Sequence, residues 1–99
     1  MTNADIAAGQ AALEAYVEGV TWKAMFIQAA VYHEGAIDAI GAADHCSDQT
    51  PQGRQAAATA ALAGALAKAG YADQVTPQQL HDGTAVILAA VNKARHVGS

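Results

Sequence analysis

The sequence predicts an all-α fold, a small antiparallel four-helix bundle that is Ala-rich and completed by self-association. Three observations carry this. Of the 99 residues, 27 are alanine, the strongest helix former. Apolar residues recur at three- and four-residue spacing, and no stretch alternates as a half-buried strand would. Thr-led start signals at residues 2, 21, 50 and 76 divide the chain into helix-length pieces, giving one helical domain over residues 1–99.

The first helix spans about residues 3–18. Thr2 and Asp5 have capping-box spacing. Ile6, Leu13, Val17 and Val20 fall on one stripe, with Glu14 and Glu18 beside it. Continuing this helix would turn Trp22 and Phe26 to the opposite side, so a break is expected at Gly19-Val20-Thr21.

The second helix spans about residues 22–45. Its stripe holds Trp22, Phe26, Ala29, His33, Ala36, Ile37 and Ile40, with Met25 at the edge. This places His33 in the core. The far side carries Ile27, Val31, Glu34, Asp38 and His45, which implies more than one neighbour.

The third helix, residues 51–69, opens on Thr50 as cap with Pro51 at its first position, and it ends at Gly70. Leu62 and Leu66 are its only large apolar residues. Alanine buries little area, so this helix is expected to lie between neighbours, including one from a second subunit. Gly64 and Gly83 are expected to permit close helix contact. The fourth helix, residues 77–95, begins with the Thr76-Pro77-Gln78-Gln79 capping box. Val75 and Leu80 are placed for a hydrophobic staple. Its stripe is Leu80, Thr84, Ile87, Val91 and Ala94, and Lys93, Arg95 and His96 complement its C-terminal dipole.

Composition narrows the function. The net charge is −4, and the five basic residues are scattered, so no nucleic-acid surface is expected. The single Cys46 excludes a disulfide scaffold. The opening MTNADIAAGQ lacks the basic and apolar regions of a secretion signal, and no membrane span is present; a cytoplasmic setting is expected. Residues 1–49 carry seven acids and one base, whereas residues 50–99 carry four bases and two acids. Such halves can pack against each other, within the chain or between copies.

The candidate binding residues are Glu14, Glu18, His33, Glu34, Asp38 and His45. His33 would line a pocket or sit bonded in the core. Glu34, Asp38 and His45 stack along one helix side, where two carboxylates and an imidazole suit a divalent cation. No HExxH or ExxH motif accompanies them. Asp44-His45-Cys46 is not a catalytic string, because helix neighbours point ~100° apart, and Cys46 reads as an inert thiol. No phosphate loop of the GxGxxG or Walker type occurs.

The pairs Glu14/Glu18 and Glu34/Asp38 resemble the paired carboxylates on adjacent antiparallel helices with which all-α nucleotide pyrophosphohydrolases of the MazG kind hold magnesium. The resemblance covers about a quarter of the chain. Both pairs here are four residues apart where that family has three, and the doubled Glu opening its motif is missing.

The leading expectation is a non-enzymatic helical interaction protein, self-associating and acting by binding another protein through Glu14, Glu18, Glu34 and Asp38. A compact, acidic, motif-free chain of this length also suits an accessory or inhibitor protein of a phage or mobile element. No cofactor is expected on that reading. The alternative is a small hydrolase of nucleotides or phosphate esters. It would hold Mg or Mn on those four carboxylates, with His33 or His45 assisting. A third reading is a small-ligand pocket at a subunit junction lined by Trp22, Tyr32 and His33.

Overall fold

The computed structural model describes residues 2–19 and 29–97. Among the described residues four helices form: α1 (Asn3–Gly19), α2 (Ala29–His45), α3 (Pro51–Lys68) and α4 (Pro77–Val97), with a 3₁₀ turn at Ala72–Gln74. Among the described residues there is no strand, and no helix is long and apolar enough to cross a membrane. The break expected at Gly19-Val20-Thr21 falls where the described residues of α1 stop. Val20, Thr21, Trp22, Met25, Phe26 and Ile27 lie outside the described residues, so the start expected for the second helix and the Trp22 wall of a ligand pocket do too.

The helix starts follow the local chemistry read from the sequence. Thr2 and Asp5 form a reciprocal capping box. The Asp5 N–H donates to Thr2 Oγ1, and the Thr2 N–H donates to Asp5 Oδ2, both at 3.2 Å. Thr76 and Gln79 repeat the arrangement on α4 at 2.9 and 3.1 Å. Val75 is buried and Leu80 packs against the same core, the two positions that the staple uses. Thr50 Oγ1 accepts from the Gly53 N–H at 3.1 Å, with Pro51 at the first position of α3.

The end of α3 is a Schellman motif. The Tyr71 N–H donates to Leu66 O at 2.9 Å and the Gly70 N–H to Ala67 O at 3.0 Å. Gly70 adopts φ 90°, which side-chain-bearing residues rarely reach. Gly70→Ala is therefore expected to destabilise the fold by about 1–2 kcal/mol, read as a lower urea midpoint at unchanged slope.

One core joins the helices. α1 lies chiefly against α4, and α2 chiefly against α3. Leu13, Ile40, Leu62, Leu66, Ile87 and Val91 are its large fully buried side chains. Small residues let the backbones close on them. A Cβ on Gly9 would stand 2.8 Å from Ile40 Cδ1, and one on Gly35 would stand 2.8 Å from Leu62 Cδ1. Gly83 is close-packed as expected, but Gly64 is not: it is exposed, with nothing within 4 Å of a Cβ placed there. Thr84 is fully buried and satisfied, bonding Leu80 O and His81 O at 3.0 Å and the Thr59 hydroxyl at 2.8 Å. Tyr32 is also core. Loss of solvation, and then the neighbouring Tyr71, push its hydroxyl up to about 12.

The buried face of α2 corrects the sequence expectation. It consists of Tyr32, Ala36, Ala39, Ile40 and Ala43. The helix is rotated by most of one residue's ~100° step from the stripe read through Trp22, Phe26 and His33. His33 is exposed, not buried.

Candidate functional site

The first organised polar feature is one the candidate residues did not include. The N-termini of α1 and α3 and the C-termini of α2 and α4 meet at one end of the bundle. Arg95, from the last turns of α4, lies between two carboxylates. Its Nη2 is 3.0 Å from Asp5 Oδ2 and 2.7 Å from Asp44 Oδ2, and its Nε and Nη1 add bonds to the same pair. Arg54 reaches Asp44 Oδ1 at 3.2 Å from the other side and donates to Ala43 O and Gln49 Oε1. Gln49 Nε2 donates to Ala43 O and Cys46 O at 3.0 and 2.8 Å, satisfying carbonyls that α2 leaves open at its end. All four helices are thereby tied together by charge. Hydrogen bonds from Arg95 hold the Asp5 and Asp44 carboxyls below the usual carboxylate range.

These acids come from the acidic half of the sequence and these arginines from the basic half, so complementary packing within the chain is realised here. The uneven charge between the two halves was the sequence signal for this cluster. What the sequence did not supply was which acid meets which base.

The candidate residues lie elsewhere, and the structure groups them in pieces. Gln10 joins two of them across α1 and α2. Its Nε2 donates to Glu14 Oε1 at 3.3 Å, and its Oε1 accepts from His33 Nδ1 at 2.5 Å. Glu18 is exposed near the end of α1. Glu34 and Asp38 stand on one wall of an open groove of about 560 Å³ between α2 and α3, with Lys68 also at its edge. His45 is exposed at the C-terminus of α2 and does not line that groove, although its spacing placed it in line with them.

Among the described residues, no three His, Cys, Asp or Glu side chains come together as a metal site. Glu14, Glu18, Glu34 and Asp38 therefore do not form the single four-carboxylate centre that a hydrolase would need. Tyr32 packs in the core and His33 faces out, so the two do not line one pocket.

Cys46 is half-buried. Its Sγ lies 3.3 Å from Ala43 O and 3.0 Å from Asp48 O, where it acts as a weak donor. His81 is exposed, 3.7 Å from Asp82. A second depression, of about 450 Å³, lies between the start of α3 and the face of α4. Its two guanidiniums, from Arg54 and Arg95, are already engaged by Asp5 and Asp44.

The remaining charges give the molecule an end-to-end polarity. Asp5 and Asp44 are ion-paired, Asp48 accepts from the Thr50 hydroxyl and N–H, and Asp82 accepts from Gln78 and Tyr16. Glu14, Glu18, Glu34 and Asp38 have no ion-pair partner among the described residues. They occupy the second half of α1 and the first ten residues of α2, toward the end opposite the Arg95 cluster.

No family model matches the chain, and no curated protein and no solved structure matches it.

Proposed function

We propose that this chain is a non-enzymatic helical interaction protein that self-associates and acts by binding another protein through its acidic half. One observation supports this above the rest. The fold pairs Asp5 and Asp44 with Arg95 and Arg54 at one end of the bundle and leaves Glu14, Glu18, Glu34 and Asp38 exposed toward the other, with no ion-pair partner among the described residues. Like charges gathered on one side raise the local potential. They steer a cationic surface into place and speed its association without adding a buried contact. The partner of this surface is a protein presenting Lys and Arg.

Capture tests this. Wild-type protein and a Glu14→Lys/Glu18→Lys variant, both at exposed positions of α1, are immobilised and exposed to cell extract under cross-linking. The captured protein is then purified and its association rate measured. The expected result is a rate that falls with added salt and falls at least about tenfold for the variant, with helical circular dichroism unchanged. A partner that binds both proteins at the same rate and with the same salt dependence would remove this surface from the function.

A further inference from the structure

We infer that the groove between α2 and α3 seats a second copy of this chain, each copy laying its α3 ridge into the groove of the other. This rests on the self-association in the reading above and supplies its surface.

The first observation is Gly64. It sits in the middle of an 18-residue helix, where glycine is unfavourable. Gly9, Gly35, Gly53 and Gly83 each have a neighbour that explains them, and Gly70 ends the helix at positive φ, but mid-helix Gly64 faces open space. A second backbone lying against it would account for the missing side chain. The second observation is the ridge around it. Ala56, Ala60, Gly64 and Ala67 are all exposed on α3 at three- and four-residue spacing, and no charged residue interrupts the helix between Arg54 and Lys68. The third is charge. The α2 wall of the groove carries Glu34 and Asp38, the α3 edge carries Lys68, and none of the three has an ion-pair partner among the described residues.

A two-fold contact is self-complementary, so what one copy offers the other must answer. The ridge of one copy fits the small-residue floor of the other at Gly41, Ala42 and Ala65. Lys68 of each then meets Glu34 and Asp38 of the other, twice by symmetry, which leaves Glu14 and Glu18 as the acids that face the cationic partner. Two helices ~27 Å long and ~10 Å apart offer roughly 500 Å² per copy, which is about the minimum for a specific interface. The dimer is accordingly expected in the micromolar range.

Sedimentation velocity on the full chain from about 1 to about 200 µM tests this. Wild type is expected to move from monomer to dimer across that range. Gly64→Glu and Lys68→Glu are each expected to weaken the dimer at least about tenfold with unchanged circular dichroism. A side chain at 64 meets nothing in the monomer, so Gly64→Glu is not expected to disturb the fold. The swap Glu34→Lys/Asp38→Lys/Lys68→Glu, which restores opposite charges across the two-fold, is expected to recover dimerisation. A wild-type dimer indifferent to Gly64→Glu would overturn this surface while leaving self-association standing. A chain that stays monomeric throughout would overturn both, leaving the groove to a different protein.

Discussion

Leu62→Ala is expected to cost about 3–4 kcal/mol and to lower the melting temperature by on the order of 15–25 °C. Leu62 is 1% exposed and lies where three helices converge. Its Cδ1 would be 2.8 Å from a Cβ on Gly35 of α2, and its Cδ2 would be 3.8 Å from one on Gly83 of α4. Both neighbours are glycines, so backbone rather than flexible side chain walls the leucine. A wall of that kind closes poorly on a cavity, which puts the loss in the upper part of the usual range for such truncations. The helix offers only Leu66 as a second anchor, since its other apolar positions are alanine. Leu88, half-buried beside the depression between α3 and α4, provides the comparison. Leu88→Ala is expected to cost about 1 kcal/mol, in proportion to the smaller area it buries. Urea titration of both variants measures the two figures. Equal losses would mean that Leu62 is not the pivot of the core.

What was legible in the sequence divides by distance along the chain. Thr2 with Asp5, Thr50 with Pro51, Thr76 with Gln79, and Gly70 were readable because a cap is settled within four residues of itself. The stripe of α4 was readable because Ile87 and Val91 are large enough to mark their face. The face of α2 was not. Four alanines and glycines occupy or flank it at Gly35, Ala36, Ala39 and Ala43, and these carry little hydrophobic contrast. The larger Trp22 and Phe26, joined to His33, therefore set a wrong phase. The candidate acids were legible as exposed charge, but their division between the Gln10 bridge and the α2–α3 groove depends on how helices sit side by side. The Arg95 cluster lay furthest out of reach, because its partners are 90 and 51 residues away in sequence.

That cluster should set the response of the protein to acid. Arg95→Ala removes the guanidinium between Asp5 and Asp44, whose side chains are only 5% and 18% exposed. Removing it leaves Asp5 without a cation, whereas Asp44 keeps Arg54 at 3.2 Å. Arg95 is itself about one-third exposed, so water offsets part of the loss. For the Asp44 pair the expected cost is about 2 kcal/mol at neutral pH. Arg95→Lys keeps the charge but not the planar fork that spans both carboxylates, and an intermediate loss is expected.

The pH dependence separates this from simple loss of packing. Both carboxyls titrate below the usual carboxylate range in the folded protein, with the Arg95 hydrogen bond the largest cause for each. A depressed folded value means that the unfolded chain takes up protons first. The stabilisation is therefore complete above the unfolded value and is lost as pH falls through the lower folded values. Wild type should hold its melting temperature down to about pH 5 and lose it as the pH falls on through the lowered folded values. Arg95→Ala should start lower at neutral pH and fall less over the same interval, because Asp5 and Asp44 then titrate nearer to their unfolded values. Parallel acid limbs in the two proteins would show that the four helix ends are held by packing, with the ion pairs as bystanders. Converging limbs would show that charge closes this end of the bundle.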